Sequence, residues 1–187
     1  MAKIRLAAPL QTDSIVDGEG LRAVVWTQGC IHNCEGCHNP ETHDLKGGYL
    51  EDIDNLKKDI LALEHHDGIT LSGGDPFVQI DACLEIATFC KENNLNIWCY
   101  TGYTFEQLMI MNKHNKQIIK LLEQIDVLID GKFILAEKSY ACPFRGSKNQ
   151  RVLDVKESLK ANKAVIIKKY RIQEKVNLNA YDELVFI

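Results

Sequence analysis

The chain alternates short, almost continuously apolar runs with amphipathic stretches, and this alternation constrains its fold more than any other feature. Leu21–Thr27, Ile69–Ser72, Asn96–Tyr100, Asp126–Asp130 and Ala164–Lys168 are rich in β-branched and aromatic residues. They read as parallel strands buried on both faces. Between them, Ile53, Leu56, Ile60 and Leu63 recur at helical spacing, and Ile80, Cys83, Leu84, Ala87 and Cys90 form a second helical stripe. Thr104–Gln124 reads as one or two further helices. Strand–helix repetition at roughly 30 residues per unit predicts a parallel sheet with right-handed crossovers. A closed barrel of eight such units needs about 250 residues, and this chain has 187. The expected fold is α/β, a partial, open (β/α) barrel of about five or six units. No internal repeat, low-complexity tract or Pro/Gly linker marks a boundary, so residues 1–187 are expected to form one domain. The last thirty or so (about 156–187) carry no assigned role.

Gly29–Gly48 interrupts the pattern directly after the first convincing strand. It has neither strand nor helical periodicity, and loops of that length inside a compact domain usually carry function. In a parallel α/β fold it would sit at the C-terminal ends of the strands, where ligands bind. The loop holds Cys30, Cys34 and Cys37, a C-x3-C-x2-C spacing, with Gly29 and Gly36 among them. Three thiols on eight consecutive residues can converge on one centre, and thiolates suit iron–sulfur clusters and zinc. Glycines would let the backbone wrap closely around an inorganic core. Three readings stand open at this point: an iron–sulfur cluster, a Cys₃His zinc site completed by His38, and buried free cysteines. With three cysteines, a [4Fe–4S] cluster would keep one iron without a protein ligand, open to a substrate.

Composition narrows the partners. With 22 basic and 26 acidic side chains the net charge is −4, which argues against broad nucleic-acid or membrane-surface binding. Lys160, Lys163, Lys168, Lys169, Arg171 and Lys175 form the main basic stretch. It reads as a solvated strand face, or alternatively as a docking surface for an acidic partner. No apolar run approaches the roughly 18 residues that span a bilayer, and the start Met1–Leu10 is too short in its apolar part for a secretion signal. A cytoplasmic protein is expected, where seven cysteines are better explained as metal ligands and small core residues than as disulfides.

Two motifs together resemble a known superfamily. The C-x3-C-x2-C loop after a first strand is similar to the signature of the radical S-adenosylmethionine superfamily. Thr70-Leu71-Ser72-Gly73-Gly74-Asp75-Pro76 at the end of the next strand resembles its Gly-Gly-Glu/Asp-Pro segment. Further segments narrow the resemblance: Ser14–Arg22, Cys37–Glu41, Ile97–Thr104 (with Trp-x-Tyr-Thr-Gly-Tyr), Val127–Phe133 and Arg145–Val152 (with Arg-Gly-Ser-x-Asn-Gln). From about residue 11 to 155 the chain resembles the activating proteins of anaerobic (class III) ribonucleoside-triphosphate reductases.

That resemblance implies a radical S-adenosylmethionine fold and an oxidoreductase that activates a glycyl-radical enzyme. A [4Fe–4S] cluster held by Cys30, Cys34 and Cys37 would reductively cleave S-adenosylmethionine, and the resulting deoxyadenosyl radical would take hydrogen from a glycine of the partner reductase. An electron donor such as a flavodoxin or ferredoxin is implied as a second partner. By the same resemblance Gly36, Cys37, His38, Gly73 and Gly74 border the cofactor. Asp130 and Lys132 match the place where related activases hold its methionine carboxylate, with a surface Asp-Gly turn as the plainer alternative. His32 is either a solvated loop histidine or a supporting partner of the site. Cys83 and Cys90 read as core residues, and Cys99 and Cys142 have no role assigned. No C-x2-C spacing follows Cys37, so a second, ferredoxin-like cluster insert is not expected. Two other functions remain possible on the sequence: a related enzyme acting on a small purine-like molecule, and a non-catalytic zinc-binding adaptor.

Overall fold

The computed structural model describes residues 2–171; Lys175 and the remainder of the unassigned tail lie outside the described residues. The strands are β1 Lys3–Leu6, β2 Gln11–Ser14, β3 Arg22–Thr27, β4 Tyr49–Asp52, β5 Gly68–Gly73, β6 Asn96–Tyr100, β7 Val127–Asp130 and β8 Arg151–Asp154. The helices are α1 Ile53–Leu61, α2 Ile80–Glu92, α3 Phe105–Met111, α4 Gln117–Gln124 and α5 Val155–Ala161. All eight strands join one open mixed sheet in the order β4-β1-β3-β5-β6-β7-β8, with β2 also on β3. Its centre, β3-β5-β6-β7, is parallel. The flanks are antiparallel.

The four central strands lie where the apolar runs predict them. A fifth parallel strand at Ala164–Lys168 does not form. Instead Ile166 makes a lone antiparallel bridge to Leu153, supported by Asp154 N–Val165 O and Ile167 N–Val152 O bonds of 3.0 Å. The reason is reach. α5 is seven residues long and stops at Asn162, whose φ of 49° turns the chain straight back, whereas a parallel crossover needs a dozen or more residues. The strands β1, β2, β4 and β8 escape the sequence pattern because they are four residues long and carry polar residues at half or more of their positions.

Alternation along the central strands divides the interior. Ala23 and Val25, Ile69 and Leu71, Ile97 and Cys99, and Leu128 face the helices and join Leu56, Ile60, Cys83, Ile86, Leu108 and Leu121 in the main core. The opposite face is different. There Trp98, Ile129, Val152 and Tyr170 form a small aromatic cluster, while Arg22 donates to Thr70 Oγ1 at 2.8 Å beneath the Trp98 ring. The helices start at identifiable caps: Asp52 accepts from Asp54 N, Thr104 and Gln107 make a reciprocal capping box, and Asp154 accepts from Glu157 N. Among the described residues no helix is long and apolar enough to cross a membrane.

Register places four strand ends together. Thr27 pairs with Gly73, Leu71 with Cys99, and Tyr100 with Ile129. The loops after Thr27, Gly73, Tyr100 and Asp130 therefore leave neighbouring strands along one edge, the carboxyl end at which open α/β sheets bind ligands.

Candidate functional site

The cysteine loop leaves the tip of β3 and folds back over it. Gly29 N donates to Thr42 O at 2.9 Å, and Asp75 N donates to Gly29 O at 2.9 Å, so the loop is fastened to its own far side and to the tip of β5. Gly74 makes this approach possible: a Cβ there would stand 2.3 Å from Gly29 O. Gly73 has φ of +99°, and a Cβ on it would meet Thr27 O at 2.5 Å. The two glycines thus pack backbone against backbone where β3 and β5 end. Gly74 N is committed to Thr27 O at 2.7 Å, whereas no backbone donor among the described residues reaches the Gly74 carbonyl.

Cys30, Cys34 and Cys37 are free and half-buried. Asn39 N–H donates to Cys37 Sγ at 3.4 Å, and the backbone amides of His32 and Phe133 stand near enough to the Cys30 and Cys34 sulfurs to favour their thiolates. Burial pushes the Cys30 and Cys34 thiols up, partly offset by those amides and, at Cys34, by the Lys132 ammonium. A bound metal reverses this balance by taking the sulfurs as thiolates. Among the described residues no three His, Cys, Asp or Glu side chains stand close enough to hold one ion. Thiolates around a single tetrahedral zinc would lie about 3.8 Å apart, given a Zn–S bond of about 2.3 Å. In a cubane cluster each cysteine has its own iron, so the sulfurs stand farther apart. Three soft donors on one loop, with backbone amides near them, fit such a cluster.

Two clamps hold the loop. On the His32 side, the imidazole Nε2 lies 2.6 Å from Asp75 Oδ2, with the two side chains 6% and 0% exposed. Asp75 also accepts from Phe77 N at 2.9 Å, Thr101 Oγ1 at 2.9 Å and Gly102 N at 3.0 Å. The Tyr103 ring meets His32 edge-on at 4.5 Å. On the His38 side, the imidazole lies 4.8 Å from the Phe133 ring. Gly36, with φ of +69°, lies against Leu135, and a Cβ on Gly146 would come within 2.8 Å of His38. Gln150 and Asn149 secure this second clamp: Gln150 Oε1 accepts from Gly146 N, Gln150 Nε2 donates to Gly131 O, and Asn149 Nδ2 donates to Lys132 O.

The expected site residues therefore separate. Cys30, Cys34, Gly36, Cys37, His38, Gly73 and Gly74 all stand in the loop or at the strand tips touching it. Lys132 is exposed near Cys34 and has no carboxylate partner among the described residues. Asp130, expected beside the cofactor, is instead a structural residue. It is 1% exposed, takes the Phe105 amide on Oδ2 at 2.7 Å, and is gripped by the Arg151 guanidinium, which donates from Nε to Oδ1 at 2.9 Å. Both oxygens are spent, and a second carboxylate beside it would be repelled. His32 is not a solvated loop histidine. Asp75, Thr101, Gly102 and Tyr103 carry no individual role in the sequence reading, although Gly-Gly-Asp-Pro and Trp-x-Tyr-Thr-Gly-Tyr were the signals that could have exposed them. Cys83, Cys90 and Cys99 are buried, with burial pushing Cys90 up to about 12. Cys142 lies half-exposed in the loop before β8.

Comparison with known proteins agrees with the geometry. Residues 16–153 match the family model of a 4Fe-4S single cluster domain. An anaerobic ribonucleoside-triphosphate reductase-activating protein of Haemophilus influenzae is 35% identical over 147 residues, covering 73% of this chain and 89% of the relative. Proteins of the same name from phage T4 and Escherichia coli K12 are each 34% identical, over 73% and 74% of this chain and 86% and 91% of their own lengths. With the cluster-domain match spanning every strand tip that builds the site, the chain belongs to the family of anaerobic ribonucleoside-triphosphate reductase-activating proteins.

Proposed function

We propose that this protein is a glycyl-radical activase that works on an anaerobic ribonucleoside-triphosphate reductase. The carrying observation is the convergence, on adjacent parallel strand tips, of the three-cysteine loop, the Gly73-Gly74 backbone and Lys132. A [4Fe–4S] cluster bound there would supply the electron that cleaves S-adenosylmethionine into methionine and a deoxyadenosyl radical able to take hydrogen from a glycine of the reductase.

The chain's own residues bind, orient and shield. Cys30, Cys34 and Cys37 would hold a cluster that supplies the reducing electron, the Gly74 carbonyl would accept from the cofactor's amino group, and the Lys132 ammonium would pair with its carboxylate as a point charge. Gly36 and His38 border the cofactor from the loop, backed by Phe133 and Leu135. These apolar side chains limit water at a site where the cofactor does the difficult chemistry. The parallel centre of the open sheet, with its strand tips along one edge, supports a partial barrel of the radical S-adenosylmethionine type in one domain. A flavodoxin- or ferredoxin-like donor in a cytoplasmic setting fits a protein that needs an external low-potential electron.

Oxygen-free purification tests this reading. The expected product is a brown protein with about four irons per chain that releases deoxyadenosine on reduction with S-adenosylmethionine and leaves a glycine-centred radical on the reductase. A colourless zinc protein, or cofactor cleavage without any radical on the reductase, overturns it.

A further inference from the structure

We infer that His32 and Asp75 form a positioning pair that sets the Cys30 sulfur and its amide against the strand tips, and thereby the reduction potential of the cluster. The inference rests on the functional reading above. Asp75 sits in the Gly-Gly-Asp-Pro segment, yet its carboxylate turns inward and joins three parts of the site. It caps Phe77 N after β5, takes Thr101 Oγ1 and Gly102 N after β6, and reaches His32 Nε2 in the cysteine loop at 2.6 Å. Each of these groups is a donor, and the carboxylate is completely buried. The imidazole is boxed as well as bonded. A Cβ on Gly102 would lie 2.4 Å from its ring, so only glycine at that position admits His32, and the Tyr103 edge closes the other side.

The consequence runs through the backbone. Gly29 is fixed by bonds to Thr42 and Asp75, and His32 is fixed by its side chain, so Cys30 lies between two anchors. The His32 amide follows Cys30 by two residues and stands near enough to its sulfur to favour the thiolate. An amide on a ligating sulfur stabilises the more negative, reduced cluster. Without the Asp75 bond, the His32 peptide is released, its amide leaves the sulfur, and the reduced state loses that stabilisation. Gln places a terminal amide nitrogen about as far from Cα as the His Nε2, so His32→Gln preserves a donor toward Asp75, whereas His32→Ala does not.

The test compares wild type, His32→Ala and His32→Gln after oxygen-free reconstitution, by iron content, cluster midpoint potential and deoxyadenosine release. The expected result is a midpoint shifted to more negative potential and cleavage slowed about 10-fold or more in His32→Ala, with both restored in His32→Gln. If His32→Ala retains no iron, recovery of iron and potential in His32→Gln supports the inference equally. Wild-type potential and cleavage in His32→Ala overturn it, as does a glutamine variant as impaired as the alanine variant. A wild-type protein that binds no cluster overturns the functional reading and this inference together.

Discussion

At the scale of single residues, the cysteines divide by surroundings rather than by type. Cys30, Cys34 and Cys37 are half-buried on one loop, whereas Cys83 is completely buried in α2 among core side chains. Cys34→Ala is therefore expected to lose colour and cofactor cleavage together, while Cys83→Ala keeps the wild-type iron content; an ultraviolet–visible spectrum and an iron assay decide it. Lys132 makes a different prediction. Its ammonium has no hydrogen bond or ion pair among the described residues, so Lys132→Met should retain iron and weaken S-adenosylmethionine binding by about 10-fold or more, the worth of one charge-assisted hydrogen bond. Equilibrium binding to the reconstituted protein measures it. An unchanged affinity would remove Lys132 from the site.

At the scale of elements, the seam between β7, β8 and α3 depends on one charge cluster. Arg151 bridges buried Asp130 and more exposed Glu106, and Asp130 also holds the first amide of α3. Removing the guanidinium leaves a buried carboxylate without its cation, so Arg151→Leu should cost about 3 kcal/mol in denaturant unfolding. Glu106 contributes less because half its side chain is exposed. Its pH signature has a definite sign. Hydrogen bonding to Arg151 lowers the Glu106 pKa from 4.5, so the folded form holds its proton less tightly than the unfolded chain. The stability it adds is complete above 4.5 and disappears as pH falls through the folded value. Glu106→Gln should flatten stability against pH in that acid window alone, and a slope lost instead near neutrality would contradict the assignment. The same seam shows why Asp130 misleads in a linear reading: Asp-Gly-Lys after a strand looks like a ligand turn, and the partner that claims the aspartate lies 21 residues away.

At the scale of the whole molecule, the strand ends have separate duties. The carboxyl tips carry the site, and the opposite end is secured by Arg22, which is 1% exposed. Its guanidinium donates to Thr70 Oγ1, Glu19 O, Asn96 Oδ1, Ile69 O and Asn96 O. Burial lowers its pKa to about 10, still charged at neutral pH. Arg22→Met should lower stability by about 1–3 kcal/mol through the acceptors it strands, while iron bound per folded chain stays as in wild type. Thermal unfolding and iron assays on the same sample separate the two effects. This assigns the Ser14–Arg22 segment, including Gly18 against Arg22 and Trp98, to the end of the sheet away from the cysteines.

The sequence by itself determined the central parallel strands, the two amphipathic helical stripes and the place and spacing of the cysteine loop. Each is written in local periodicity or spacing, which a linear pattern preserves. It did not determine β8, the reversal after α5, or the antiparallel flanks, because four-residue polar strands have too few positions to show a period. Nor did it determine which side chain meets which. That Asp75 turns inward to His32, that Gly102 is bare to admit an imidazole, and that Asp130 belongs to Arg151 are matters of register between segments 43, 70 and 21 residues apart. Only the pairing of parallel strand tips brings those loops to one edge, and there the tertiary structure decided which residues of each motif face the site and which hold it in place.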